Sequence, residues 1–278
     1  MRAAVLGSPI AHSLSPALHR AAYALIGLDW TYEAVECDAA ALPGFVAALT
    51  PQWAGLSLTR PCKVAVVDLL DEFDEWTRLT GAANTLVLRD GRRLGANTDV
   101  SGLVGALAEA GVHRGGAARA TVLGAGATAR SAVVSLAAAG YPGVDVAARR
   151  PQATAELAAT ADAVGIDVRV HPWTAAASLL GADLVVCTVP MGAADELAAT
   201  LGPGGPQALQ TLFDVVYDPW PTVLATAWAA RGGRVLSGLD LLVHQAVGQV
   251  QLMTGCSVQP GQLVAVMRAA GMAALSAR

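Results

Sequence analysis

Short apolar runs alternate with stretches whose apolar residues recur at helical spacing along most of this chain. In the first hundred residues, 3–6, 30–35, 54–58 and 84–88 read as strands, and 16–26, 40–49 and 62–70 read as helices. Such alternation predicts parallel strands joined by crossover helices, hence an α/β layer. A helix over 100–110 runs into a glycine-rich break at 111–116, taken as a boundary. Beyond it the pattern predicts strand 120–123, helix 127–139, strand 144–148, helix 151–163 and strands at 168–170, 183–188 and 212–216. Helical spacing returns over 239–253 and 261–275, with no internal repeat.

Composition narrows the class. At 278 residues the chain suffices for one large domain or two ordinary ones. It carries 18 basic and 22 acidic residues, with no basic block, so nucleic acid is not an expected partner. No run of about 18 strongly apolar residues appears, which argues against a spanning helix. The N-terminal apolar stretch is too short for a signal peptide. Cys37, Cys62, Cys187 and Cys256 are scattered, as are the five histidines, so neither a disulfide framework nor a metal site is expected. A reduced, cytoplasmic protein follows as the expectation.

The stretch Gly124-Ala125-Gly126-Ala127-Thr128 lies between the strand 120–123 and the helix after it. Strand, glycine turn and helix form a G-x-G-x-x-A dinucleotide-binding fingerprint: the glycines permit close backbone approach, and the first helical N–H groups face a pyrophosphate. Similar small-residue turns also occur in α/β proteins that bind no nucleotide. In the N-terminal half, Ser13 and Ser15 precede or open a helix, with Pro16 in its first turn. Ser15 suits the N-cap, and two serines at a positive helix end also suit a carboxylate. Thr59, Lys63, Asn84, Asn97 and Asp99 all lie where strand-like runs close. In open α/β sheets, that edge is where ligands gather. A lysine beside an aspartate there can exchange a proton with an alcohol or ketone. Turn-forming and solvated roles stay open for each residue taken singly.

Taken together, the segments 7–16, 59–63, 81–85, 95–99, 124–127, 214–222 and 238–246 resemble shikimate dehydrogenases, motif by motif and in chain order. The resemblance covers nearly the whole chain. It implies a substrate domain from 1–110 and 239–278, with the C-terminal helices returning to it, and a Rossmann-like NADP domain over 111–238. It implies NADP-dependent, reversible reduction of 3-dehydroshikimate to shikimate, in the making of chorismate and the aromatic amino acids. Ser13 and Ser15 would hold the substrate carboxylate, and Thr59, Asn84, Asp99, Tyr217 and Gln245 its hydroxyls. Lys63 and Asp99 would form the catalytic pair. Gly124, Ala125, Gly126, Ala127, Thr128, Arg149, Arg150, Thr188, Val189, Val215 and Gly238 would bind the cofactor. The partner is then a small molecule, and the chain a monomer or homodimer.

The residues at the tip of the second strand bear on the choice of cofactor. An NAD site places an acid at the tip of the second strand. Asp145 has nearly the right count from Gly124 but lies inside the strand, roughly 13 Å before Arg149 at ~3.3 Å per residue. Arg149 and Arg150 occupy the tip and suit a 2′-phosphate, which points to NADP. The family commonly has Asn-Arg-Thr there, whereas this chain has Ala148-Arg149-Arg150. Near the nicotinamide, the family's Ala-Thr-Pro-x-Gly appears as Thr188-Val189-Pro190-Met191-Gly192, with the threonine displaced by one. Quinate with NAD, and a cofactor-binding paralogue without turnover, are the alternatives.

Overall fold

The computed structural model describes residues 1–112, 119–150, 152–202 and 209–278. Its contacts divide the chain into two units, Met1–Gly102 with Leu242–Arg278, and Leu103–Leu241. The first stretch runs β1 (Arg2–Gly7), α1 (Ser15–Leu25), β2 (Thr31–Glu36), α2 (Leu42–Ala47), β3 (Trp53–Leu58), α3 (Cys62–Ala65), β4 (Glu72–Phe73), α4 (Glu75–Thr80), β5 (Thr85–Arg89), β6 (Arg92–Ala96) and α5 (Thr98–Glu109). Next come β7 (Ala120–Leu123), α6 (Ala127–Ala138), β8 (Gly143–Ala148), α7 (Gln152–Val164), β9 (Asp167–Pro172), β10 (Leu184–Cys187) and α8 (Asp195–Ala198). The chain continues through β11 (Thr211–Asp214), α9 (Val223–Ala229), β12 (Arg234–Leu236), α10 (Gly238–Thr254) and α11 (Pro260–Ser276). The division between units passes through α5 and α10 rather than at the glycine-rich break, of which 113–116 lie outside the described residues, as does residue 151 of the expected helix 151–163.

In the first unit the sheet order is β2-β1-β3-β5-β6-β4. β1 pairs in parallel with β2 and β3, as the alternation predicts. β5, however, runs antiparallel to both β3 and β6, which corrects the expectation of a wholly parallel layer. The cause is local. Asp90 and Gly91, the two residues between β5 and β6, take φ of +52° and +75°. A two-residue turn left-handed at both positions is the hairpin connection whose twist matches that of the flanking strands. The expected helix 62–70 also breaks early: α3 stops at Ala65 and a 3₁₀ turn, Val67–Leu69, follows. α4 is capped by Asp74, which accepts from the Thr77 N–H at 2.8 Å, and ends at Gly81 with φ of 60°. Leu6, Leu42, Leu56, Leu58, Val66 and Leu86 form the core beneath this sheet, and α1 packs against α11.

The second unit carries a wholly parallel sheet, β12-β11-β10-β7-β8-β9. Read from β9, this is the doubly wound dinucleotide-fold order, with its switch point between β7 and β10. Strand periodicity assigns alternate residues to two cores. Val122, Val144, Val146, Leu184, Val186 and Phe213 join one; Leu123, Ala147, Val185, Cys187 and Leu212 join the other, with Trp228.

Asp145 interrupts the apolar pattern of β8, and its partners explain why it is tolerated. Its carboxylate accepts from Arg119 Nε at 2.9 Å and pairs with His171 Nε2 at 2.8 Å. Burial alone would raise this carboxyl, but hydrogen bonds from His171 and Arg119 hold it below the usual range. Asp145 is therefore committed to β7 and β9 neighbours. Its folded-state value lies below its unfolded one, so its contribution to stability is complete above the ordinary carboxylate range and is lost as pH falls through the depressed value. Asp145→Asn is expected to cost about 1–3 kcal/mol at neutral pH. In denaturant titrations the gap to wild type should close as pH falls through the depressed carboxyl value; a gap that stays constant with pH would contradict the ion-pair account.

Candidate active site

The loop after β1 and the loop after β3 emerge side by side because their strands pair in parallel. Ser8 N–H donates to the Arg60 carbonyl at 3.0 Å, and Thr59 N–H to that of Leu6 at 2.9 Å. At Gly7 a Cβ would fall 2.3 Å from Thr59 Cγ2, so only glycine permits this approach. Ser13 and Ser15 follow on the first loop. The structure places the N-cap of α1 at Leu14, with no side-chain cap bond, rather than at Ser15. Leu14 is already helical, and Pro16 has no N–H to be capped. Instead, Ser13 Oγ accepts from Ser15 N–H at 3.3 Å, which sets the two hydroxyl-bearing residues in one turn.

Lys63 sits in α3, just past Thr59, and Asp99 in the first turn of α5. Lys63 Nζ donates to Asp99 Oδ2 at 2.5 Å, with side-chain exposures of 17% and 7%. A carboxylate in a helix's first turn is favoured by the helix dipole. Asn84 supplies the remaining support: its Nδ2 faces Asp99 Oδ1 at 2.8 Å, Thr98 Oγ1 at 2.9 Å and Gln245 Oε1 at 3.0 Å. Its Oδ1 accepts from Thr98 N–H at 2.9 Å. Because β5 is antiparallel, Asn84 lies before that strand and yet beside the C-terminal ends of β3 and β6. The hairpin that breaks the expected parallel order is what brings Asn84 to this edge.

Asn97 does not share the cluster's chemistry. Its Nδ2 is spent on Thr80 Oγ1 at 2.8 Å and the Ala82 carbonyl at 3.0 Å, and its Oδ1 accepts from Asp99 N–H at 3.1 Å. It is buried, and it anchors the start of α5 instead. Tyr217 belongs to the other unit, on the segment after β11, and is half-buried there.

Within the second unit, the ends of β7, β8, β10, β11 and β12 carry the remaining expected residues along one edge of the sheet. Thr188 N–H and Oγ1 both donate to the Leu123 carbonyl, at 2.9 and 2.8 Å, so the loop after β10 lies against the turn at Gly124. Gly124 has φ of +110°, and a Cβ there would come 2.6 Å from Thr188 Oγ1. No side chain caps α6, which begins at Ala127 with Gly126 as its N-cap, so its first amides have no side-chain partner. Arg149 and Arg150 are exposed directly after β8. Val215 N–H donates to the Cys187 carbonyl at 3.0 Å, and Gly238 N–H to that of Val216 at 3.0 Å. A Cβ at Gly238 would meet the Val215 carbonyl at 2.0 Å, which excludes any other residue.

A relative from Moorella thermoacetica, shikimate dehydrogenase (NADP(+)), is 35% identical over 96% of this chain and 92% of its own length. The chain belongs to the shikimate dehydrogenase family. The family model for the shikimate dehydrogenase substrate binding domain matches residues 5–86. The crystal structure of the Mycobacterium tuberculosis shikimate dehydrogenase is similar at 42% identity and a TM-score of 0.84, covering 100% of this chain and 99% of that one. The Thermus thermophilus enzyme, solved with NADP(H) and shikimate, is similar at 34% identity and a TM-score of 0.80, covering 97% and 99%.

Two contributors to this cluster, Thr98 and Gly102, are not among the expected site residues, although Thr98 lies within the segment 95–99. Thr98 joins it through Asn84, and Gly102 lets α10 approach α5. A Cβ at Gly102 would fall 2.8 Å from both Cβ and N of Gln245. That close approach sets Gln245, whose Nε2 donates to the Leu242 carbonyl at 2.8 Å, over Asn84. Gly102→Ala is expected to destabilise by about 1–3 kcal/mol through this overlap. Gly44→Ala, which meets nothing within 4 Å, serves as the control, and equal denaturation midpoints for the two variants would refute the close-packing account.

Proposed function

We propose that this protein is an NADP-dependent shikimate dehydrogenase, interconverting 3-dehydroshikimate and shikimate. The observation that carries the reading is the contact of Lys63 Nζ with Asp99 Oδ2, braced by Asn84 on the other carboxylate oxygen. Shikimate presents one carboxylate and three ring hydroxyls, and the residues assigned to it match that inventory. Ser13 and Ser15 take the carboxylate; Thr59, Asn84, Asp99, Tyr217 and Gln245 take the hydroxyls. A site built from such donors and acceptors rejects analogues that lack an oxygen, since its buried polar groups would then go unpaired.

NADP, when bound, supplies the hydride acceptor or donor at its nicotinamide. The proton is the protein's task. In oxidation, Lys63 takes the proton from the reacting hydroxyl as the hydrogen on the carbon bearing that hydroxyl leaves as hydride. In reduction, the Lys63 ammonium returns a proton to the developing alkoxide, and its pairing with Asp99 keeps that donor aimed. The turn Gly124-Ala125-Gly126-Ala127-Thr128 fits a pyrophosphate, because the positive φ at Gly124 and the uncapped α6 leave backbone space and amides for it. Arg149 and Arg150 are assigned to the 2′-phosphate, and Thr188, Val189, Val215 and Gly238 to the rest of the cofactor. Asp145, held by Arg119 and His171, takes no part in ribose binding.

Side-by-side assays with shikimate or quinate, and with NADP or NAD, test this reading. The highest kcat/KM is expected for shikimate with NADP; equal or reversed values would overturn it. Lys63→Ala should lower kcat by about 10²–10⁴-fold with a modest change in KM, and a kcat near wild type would remove Lys63 from the proton step. Replacing Arg149 and Arg150 together by Ala should raise KM for NADP while leaving KM for NAD within about twofold. A parallel rise in both would mean that the arginines do not read the 2′-phosphate.

A further inference from the structure

Behind the cluster lies a second polar chain, buried and unused by the mechanism above. Gln249, one helical turn beyond Gln245 on α10, is 1% exposed. Its Nε2 donates to the Asn84 carbonyl at 2.9 Å and lies 3.2 Å from Thr85 Oγ1. Its Oε1 accepts from Ser57 Oγ at 2.8 Å and faces His19 Nε2 at 3.2 Å. Ser57 Oγ in turn accepts from the Tyr32 hydroxyl at 2.6 Å, and the His19 ring stacks on Tyr32 with centroids 4.0 Å apart.

The direction of every bond in this chain is set by one fact. The Asn84 carbonyl can only accept, so the amide nitrogen of Gln249 must face it and the amide oxygen must face Ser57 and His19. Ser57 therefore donates to Gln249 and accepts from Tyr32, and His19 carries its proton on Nε2. Leu58 N–H, at 2.7 Å, uses the other acceptor site of the same Asn84 carbonyl. Four segments, namely α1, β2, β3 and the start of β5, thus converge on one glutamine. That glutamine grips the backbone of the residue whose side chain braces Asp99.

We propose that Gln249 is a positioning residue for the proton-transfer step: it fixes the Asn84 peptide, and through it the Asn84 amide that holds Asp99 against Lys63. The proposal rests on the reaction read above. The titratable groups facing the network are His19, Tyr23 and Tyr32 behind Gln249, and Lys63 and Asp99 beyond Asn84; Arg20 reaches the Tyr32 carbonyl from α1. Burial pulls His19 down to about 3 against a smaller upward pull from its Gln249 bond, and burial pushes the Tyr23 and Tyr32 hydroxyls above their ordinary range. None of these three changes charge between pH 5 and 9. A shift of the kcat profile in that range therefore does not come from these three groups.

The test uses the full chain with shikimate and NADP, comparing wild type, Gln249→Met, Ser57→Ala and the double variant. Gln249→Met should lower kcat about tenfold or more, as a small misplacement of reacting groups does. It should also move the pH of half-maximal kcat by roughly half a unit or more, with KM for NADP unchanged. Ser57→Ala, a milder lesion that stands in should Gln249→Met not fold, should move both quantities the same way by less. The double variant should be no worse than Gln249→Met alone, since both lesions cut one chain. An unmoved pH profile in the variants that fold, whatever their melting temperatures, would overturn the role of Gln249. A wild-type protein without shikimate activity would instead overturn the underlying reading.

Discussion

Asn84 is the constraint on which the first unit depends. Its backbone N–H donates to the Ala96 carbonyl at 3.1 Å, its own carbonyl accepts from Leu58 and Gln249, and its side chain serves Thr98, Asp99 and Gln245. A buried amide costs stability unless its groups are paired, and here the groups of Asn84 find partners on β3, β6, α5 and α10. The same bonds that make the residue tolerable in the interior also fix where the carboxylate of Asp99 points. Stability and site geometry are one set of contacts here.

The second unit reaches order by a different route. Its central strands β7, β8, β10 and β11 are buried on both faces along most of their length, and their alternate residues fill two cores, so register is specified strongly. Small residues then do the shaping at the sheet's edge. Gly124 and Gly238 hold positions where a Cβ would collide with Thr188 or with the Val215 carbonyl. The loop after β7 lies against that after β10, and the chain after β12 against that after β11, because these side chains are absent. The polar network of the first unit and the glycine contacts of the second are thus two solutions to the same task of placing loops on a rigid sheet.

Much of this was legible from the order of residues, and the exceptions have physical reasons. The parallel sheet of the second unit follows from apolar strands alternating with helices. The hairpin of the first unit is carried by Asp90-Gly91, a dipeptide suited to two left-handed positions; no helix separates its two strands, so the strand–helix alternation that predicts parallel neighbours does not reach it. Lys63, Asp99, Asn84 and Gln245 stand out as polar residues in recognisable motifs. Gly102 and Gln249 do not, because their importance lies in what crosses them: a helix more than a hundred residues away. Asn97 shows the reverse case. A polar residue at a strand end has the right type and place for ligand contact, yet its amide is consumed by Thr80, Ala82 and the Asp99 backbone.

The division of the chain also has a consequence for its synthesis. The first unit is discontinuous: its strands all lie between Arg2 and Ala96, and the helices of Leu242–Arg278 complete its polar cluster. A ribosome releases Asn84 and Asp99 long before Gln245 and Gln249 exist, and the whole of Leu103–Leu241 is made in between. The inserted unit can therefore close its own contacts first, whereas the N-terminal segment must wait, with Asn84 and Ser57 lacking their glutamine partners, until the last helices emerge. For this topology, the polar cluster is completed only after the whole inserted unit has been made.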